Sequence, residues 1–436
     1  MSMVEIIERK RDGKTLSTEQ INWFVRAVSR DQIPDYQTAA LLMAIYLRGM
    51  DRRETVDLTL AMARSGDELD LHDVAPFVVD KHSSGGVGDK TTLVVQPLVA
   101  ACGVAVGKMS GRGLGSSGGT LDKMEAISGW SPDLTLDQFK KQLARIGLVL
   151  AGQTSDLAPA DGKLYALRDV TGTVSSTPLI AASIMSKKLA GGADAIVLDV
   201  KTGSGAFMPN VNAARELAQI MVDIGVDAGR KVTALIADMN QPLGHAVGNA
   251  LELVEAIETL RGAGPSDFWA HCLVVASHML LLSGQASTEG EARERIRAAR
   301  ENGEALKKFR QMVAHQGGKV EQIDATDRLP QAPVKLDVGA PQSGFVAGMN
   351  TGALGWAAVR LGAGRQKKGD AIDHAVGFVM SAKVGDHLQQ GETLATVHAR
   401  DEAQAQRTKQ EILAALDWSE EPLPPLPNFH GIIQGG

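Results

Sequence analysis

The chain has 436 residues, 44% of them hydrophobic, with 47 glycines and a formal net charge of −6. That length exceeds one compact domain, the apolar content excludes global disorder, and the charge leaves no basic footprint for duplex nucleic acid. Cys102 and Cys272 are the only cysteines, too few for a disulfide framework and consistent with a reducing cytosol.

The N-terminal stretch MSMVEIIERKRDGK is charged throughout and lacks the apolar core of a signal peptide. Apolar runs such as Leu273–Val275 and Met279–Leu282 are far too short to span a bilayer. A cytoplasmic location, with no membrane or nucleic-acid partner, is expected.

The first elements read as helices. Ser17 followed by Gln20 is a capping-box pattern, after which Ile21, Phe24, Val25 and Val28 recur at helical spacing. Thr38–Leu47 is a second helix, stopped by Gly49, and Asp51 with Glu54 opens a third that ends before Gly66. Short apolar runs then alternate with helical stretches such as Val211–Ile224. These runs are Phe77–Val79, Val104–Val106, Ala195–Val200 and Val232–Ala237, and the rhythm is that of a mostly parallel α/β sheet. A Gly/Pro-punctuated stretch near 316–344 reads as a boundary. Beyond it, Gly344–Val346, Val376–Val379 and Leu394–Val397, with a helix at Asp401–Leu416, predict a small β-rich lobe.

Three blocks carry candidate chemistry. The first, Asp80–Thr92, follows the strand Phe77–Val79. Its small residues let backbone N–H groups curl round an anion, with Lys81 adding charge, Ser83 and Thr92 adding donors, and a helix starting near Thr91 aiming its positive end inward. It is not a Walker A loop, because Asp89 rather than Gly precedes Lys90. The second block, Lys108–Glu125, follows Val104–Val106. Gly113, Gly115 and Gly118 formally match the dinucleotide fingerprint, but a phosphate-type loop at 80–92 is foreign to a first βαβ unit. Two such loops on neighbouring strands fit one dianion held from both sides. The third block spans Leu164–Thr171 and Ser183–Lys188. A helix over Ile180–Leu189 puts Ser183 and Lys187 on one face. With Arg168 they match the O and N–H edge of a pyrimidine, although a Ser–Lys pair at this spacing is more often a solvated helix face.

The motifs DKHSxGGVGD from Asp80 and KMSGRGLGxxGGTLDKxE from Lys108 to Glu125 resemble the signatures of the thymidine/pyrimidine-nucleoside phosphorylase family. The 164–173 and 183–188 blocks, Lys201–Met208 and the C-terminal lobe are similar too, so the resemblance spans nearly the whole chain. It implies a homodimer with three parts. These are a helical lobe (1–66 with 160–192), a mostly parallel α/β lobe (67–159 with 193–330) and a C-terminal β-rich lobe (340–436). It implies phosphate on Lys81, Ser83, Thr92, Lys108, Ser110 and Thr120. The pyrimidine would sit on Arg168, Ser183 and Lys187 beside His82, within an apolar pocket of Leu114, Val174, Ile180 and Phe207. His82, Arg168 and Lys187 are the expected catalytic residues, with His82 able to carry a proton near neutrality. No organic cofactor is expected; inorganic phosphate is the co-substrate. A structural potassium ion is implied at Gly88, Lys90, Leu243, Ala246 and Glu255.

Four positions depart from the family pattern. Ser116–Ser117 replaces His-Thr, Ser84 replaces Thr, and Lys90 replaces a smaller residue at the cation position, where its ammonium would compete with a bound ion. The implied reaction is reversible phosphorolysis of pyrimidine nucleosides in salvage. Lys108 resembles the branch that accepts uridine, deoxyuridine and thymidine alike; a thymidine-specific enzyme is the alternative. An anthranilate-type phosphoribosyltransferase would need an acidic Mg²⁺–diphosphate motif, for which only Asp122 and Glu125 stand out. A non-catalytic nucleoside or phosphate sensor is disfavoured because every matched catalytic position is filled.

Overall fold

The computed structural model describes residues 1–435 apart from 114, 117, 155 and 368. Of the N-terminal helices Met3–Arg11, Thr18–Ser29, Asp35–Arg48 and Arg52–Ala63, the second and fourth start where their caps predict, and the third begins three residues before the expected Thr38. Ser17 with Gln20 and Asp51 with Glu54 both form reciprocal capping boxes, satisfying N–H groups that the first helical turn leaves unpaired. Glu54 also accepts from the buried Lys10 ammonium at 2.8 Å and from the Leu16 backbone N–H at 2.7 Å. One carboxylate therefore ties three segments together. Ile21, Phe24, Leu41 and Leu58 of this bundle pack in one core with Ala160, Leu164, Leu179 and Ala182 from the later helices Pro159–Thr171 and Thr177–Ala190.

The central sheet has six strands. They are β1 (Val78–Ser83), β2 (Ala105–Ser110), β3 (Leu148–Gly152), β4 (Ala195–Thr202), β5 (Lys231–Asp238) and a last strand, Phe429–Gln434, in the order last-β5-β4-β1-β2-β3. β1 to β5 are parallel, and the last strand runs antiparallel against β5. Period-two alternation divides the strands between two cores. Val79, Val106, Leu148, Val197 and Leu235 face the helices Thr91–Ala101, Asn249–Arg261 and Ser266–Ser283. Val78, Val149, Ile196, Leu198 and Ile236 face Leu136–Ile146, Thr177–Ala190 and Val211–Asp227. The helix Thr177–Ala190 contributes to both this core and the helical bundle, so it couples the lobes.

The C-terminal lobe has a four-stranded antiparallel sheet and a three-stranded one, joined by the helix Glu402–Ala414. Two boundaries differ from the sequence expectation. Residues 429–434 leave the lobe to complete the edge of the central sheet, and Ala246–Val247 leave the α/β region to pair with Phe378 and Val379 of the C-terminal sheet. Each exchange covers a strand edge that would otherwise present unpaired backbone groups. The helix expected to reach Leu416 ends at Ala414, and Leu416–Ser419 is a strand instead.

Candidate active site

The site lies beyond the carboxyl ends of β1 and β2, where parallel sheets present their ligands. Both strands run further than their apolar residues suggest. Asp80–Ser83 belongs to β1 and Lys108–Ser110 to β2, so the polar side chains of both motifs obey strand alternation. Asp80 and His82 point toward the helix Thr177–Ala190, whereas Lys81 points the other way. The Asp80 carboxylate holds Lys188 Nζ at 2.7 Å and Lys108 Nζ at 3.6 Å. Lys108 also donates to the Lys81 carbonyl at 2.5 Å.

A cavity of about 430 Å³ opens between the β1–β2 ends and the helix Thr177–Ala190. Of the expected phosphate ligands, Ser83, Thr92, Lys108, Ser110 and Thr120 line it; of the expected base ligands, Ser183 and Lys187 do. His82 lines it as well. Thr92 lies in the first turn of the buried helix Thr91–Ala101, so the N-terminal end of that helix borders the cavity. The Asp89 carboxylate caps the start of this helix, accepting from the Thr91 N–H at 3.1 Å and from the Ser83 hydroxyl. An adjoining cavity of about 890 Å³ shares Met109, Gln153, Tyr165, Lys187 and Lys188, making one continuous cleft between the helical and α/β lobes.

Several expected residues sit elsewhere. Lys81 is fully enclosed off the cavity wall, its ammonium 3.4 Å from Asp199 and 3.9 Å from Asp89 with no hydrogen-bond partner. Arg168 is buried, and its guanidinium donates to three backbone carbonyls: Val174 at 2.7 Å, Leu179 at 3.0 Å and Thr173 at 3.4 Å. It organises the turn between two helices and does not face the cavity. Ile180 packs in the core under the sheet, Val174 is half-buried in the turn that Arg168 holds, and Phe207 is exposed; none of the three lines the cavity. Leu114 and Ser117 lie outside the described residues. Ser116 packs against the C-terminal lobe, where a Cβ on Gly355 would fall 2.5 Å from its carbonyl oxygen.

The apolar wall comes instead from Met109, Tyr165 and Ile184, with Lys188 and Gln153 as further polar groups. Helical spacing carried a signal for two of these. Ile184 and Lys188 are four apart, one position on from Ser183 and Lys187, so all four share one broad face.

The electrostatics revise the role of His82. Burial, reinforced by Lys188, Lys108, Lys81 and Lys187, drives its imidazole well below the ordinary histidine range. It is therefore neutral at pH 7 in the unliganded chain and does not carry the proton expected of it. Lys108 is pushed down to about 7, burial outweighing the attraction of Asp80, with Lys188 and Lys81 adding repulsion. Burial works against ionisation of Asp80, but Lys108 and Lys188 prevail and keep its carboxyl below the usual range. The cavity thus gathers lysines and hydroxyl donors along one side.

The five residues expected around a potassium ion do converge, but a protein group occupies their centre. Lys90 Nζ donates to the Leu243 carbonyl at 2.7 Å and the Ala246 carbonyl at 3.2 Å, and pairs with Glu255 Oε1 at 2.5 Å. The donor set is taken by an ammonium and does not fit an added potassium ion. Asp122 and Glu125, the acidic pair weighed for a magnesium–diphosphate site, are likewise engaged. Asp122 accepts from Arg365 at 2.9 Å and from the Gly113 N–H at 2.6 Å, and Glu125 pairs with Arg112.

Comparison with known proteins agrees with this geometry. Residues 4–66 match the glycosyl transferase family helical bundle domain, 75–306 the a/b domain of the same family, and 345–419 the pyrimidine nucleoside phosphorylase C-terminal domain. A pyrimidine-nucleoside phosphorylase of Geobacillus stearothermophilus is 51% identical over 423 residues, covering 97% of this chain and 98% of that protein. Those of Staphylococcus haemolyticus and Staphylococcus aureus (strain USA300) are 52% and 53% identical, each aligned over 92% of this chain and over 93% and 92% of their own lengths. Among solved structures, anthranilate phosphoribosyltransferase from Thermus thermophilus superposes with a TM-score of 0.58 at 20% identity, covering 71% of this chain and 99% of that one. At that identity the likeness concerns the fold alone. The chain belongs to the pyrimidine-nucleoside phosphorylase family, within the wider glycosyl transferase family.

Proposed function

We propose that the chain catalyses reversible phosphorolysis of pyrimidine nucleosides, releasing the free base and a pentose 1-phosphate. The observation that carries this is the cleft itself. One wall offers Lys108, Ser83, Thr92, Ser110 and Thr120, and the other offers Ser183 and Lys187. An anion and a base can therefore lie on opposite sides of one space, with the sugar between them.

In this reaction a phosphate oxygen bonds to the anomeric carbon while the glycosidic C–N bond breaks and its electron pair passes to the base. The Lys108 ammonium and the hydroxyls hold the attacking phosphate, and holding it there supplies orientation. Lys187 Nζ, 3.2 Å from the Ser183 hydroxyl and 2.5 Å from Asp161, is the cation nearest the expected leaving base and stabilises its developing negative charge. Arg168 acts behind the site as a positioning residue, through the turn at 173–179. His82, neutral, offers a ring N–H or a lone pair to the base rather than a stored proton.

The proposal extends to uridine, deoxyuridine and thymidine as substrates, on the strength of Lys108, and to a role in cytoplasmic salvage. Among the described residues no helix is long and apolar enough to cross a membrane. A homodimer is proposed from Tyr36, Met43 and Leu47. These three lie along one side of the helix Asp35–Arg48 and are all exposed, a contiguous apolar stripe of the kind that marks an association surface. A panel of uridine, deoxyuridine, thymidine and cytidine, each with and without phosphate, tests the substrate range; base release that ignores phosphate would defeat the proposal.

A further inference from the structure

We infer that this chain carries its own cation at the site where the family resemblance implies potassium, so that its phosphate-facing loop is pinned by Lys90 and is independent of potassium in solution. Lys90 is fully buried, and its ammonium has three N–H donors. Each meets an acceptor: Leu243 O at 2.7 Å, Ala246 O at 3.2 Å and Glu255 Oε1 at 2.5 Å. The Phe268 ring lies with its centroid 5.0 Å away, adding a cation–π contact. Glu255 is fixed in turn, its carboxylate accepting from the His245 N–H at 3.1 Å and the Ala246 N–H at 2.9 Å.

Close packing leaves no room for a second cation. A Cβ on Gly88 would fall 2.9 Å from Leu243 O and 3.2 Å from Ala246 O, and one on Gly244 would fall 3.0 Å from Lys90 Nζ. Both glycines have positive φ, 74° and 67°, which lets the backbone approach the ammonium this closely. A monovalent cation and the ammonium would demand the same oxygens, and the tethered one is held at a far higher effective concentration.

The position of Lys90 gives the contact its consequence. It ends the Ser84–Asp89 loop and precedes Thr91–Ala101, whose Thr92 lines the cavity. Ala246 lies in the strand that joins the C-terminal sheet, and Glu255 lies on the helix Asn249–Arg261. One buried ammonium therefore fastens the anion loop to the α/β lobe and to the C-terminal lobe.

The test compares thermal unfolding of wild type, Lys90→Thr and Lys90→Met in potassium, sodium, lithium and choline chloride at matched ionic strength and scan rate. The wild-type midpoint should be the same in all four. Lys90→Thr frees the acceptors on Leu243, Ala246 and Glu255. Its midpoint should fall by roughly 5 °C or more in choline and recover along a saturating curve in potassium, while its KM for phosphate falls over the same range. Lys90→Met fills the same space without a charge and should be destabilised in every salt. Equilibrium dialysis of wild type against radioactive rubidium should retain none, a measurement that stands whether or not a variant folds. A saturable potassium-specific rise in the wild-type midpoint, stoichiometric rubidium on wild type, or a Lys90→Thr protein as stable and salt-blind as wild type would each overturn the inference.

Discussion

Lys187 Nζ lies 2.5 Å from Asp161 Oδ2, a carboxylate one helix away that fixes where the ammonium can point. The charge reaches the cleft only from this anchored position, next to the Ser183 hydroxyl. Lys187→Ala should lower kcat and kcat/KM for nucleoside together by roughly 10²-fold or more, because the leaving base is anionic only in the transition state. Asp161→Asn keeps the ammonium but loosens it, so a smaller loss in the same two parameters is expected, with the KM for phosphate unchanged. Steady-state kinetics on both variants, varying each substrate in turn, checks this; a loss confined to phosphate KM would contradict it.

Lys108 offers a pH signature. A lysine is charged below its pKa, and here that value is pushed down to about 7 by burial. Phosphate affinity of the free enzyme should therefore fall as the pH rises through about 7 and the ammonium is lost. Bound phosphate would in turn raise the lysine's pKa, as linkage requires. Lys108→Arg stays charged across the range, so the wild-type to variant affinity ratio should fall from pH 6 to pH 8, a comparison that cancels the ionisation of phosphate itself. Calorimetric titration at several pH values gives the ratio, and a flat profile would argue against Lys108 as the titrating ligand.

Arg168 should behave as a structural clamp. Arg168→Ala leaves the carbonyls of Thr173, Val174 and Leu179 without their donor in a buried turn. A loss of roughly 2–4 kcal/mol in stability is expected, read as a lower denaturant midpoint, together with impaired nucleoside kinetics. Lys cannot reproduce a three-carbonyl fork, so Arg168→Lys should rescue neither. A variant of unchanged stability that has lost only kcat would restore Arg168 to direct contact with the base.

Much of the fold was legible because local and global signals agree. Capping boxes at Ser17 and Asp51, apolar runs at 195–200 and 232–237, and the Gly-rich blocks after β1 and β2 each specify their own element. The site was legible as a set of motifs but not in its orientation. Treating Asp80–Ser83 as loop hid the strand alternation that turns Lys81 away from the cleft and His82 toward it. Lys188 and Asp80 are 108 positions apart, and no local pattern predicts that pair or the burial and lysine crowding that disfavour a protonated His82. β3 and the last strand were missed for similar reasons. Leu148–Gly152 is short and directly follows a helix, and Phe429–Gln434 joins a sheet whose other strands lie far upstream.

The proposed substrate breadth rests on Lys108, which resembles the broad-specificity branch. Uridine and thymidine should both be cleaved under matched conditions, with their kcat/KM values compared directly; turnover of thymidine alone would indicate the narrower specificity.

Inorganic phosphate, held by Lys108 and the hydroxyls of Ser83, Thr92, Ser110 and Thr120, is the group proposed to displace the base. Phosphorus NMR of the purified enzyme with uridine and phosphate tests it most directly, with uracil followed in parallel. Phosphate should be consumed mole for mole with uracil release, its signal should be replaced by that of ribose 1-phosphate, and neither change should need magnesium. Uracil release without consumption of phosphate, or turnover only with magnesium and a phosphoribosyl diphosphate donor, would contradict it.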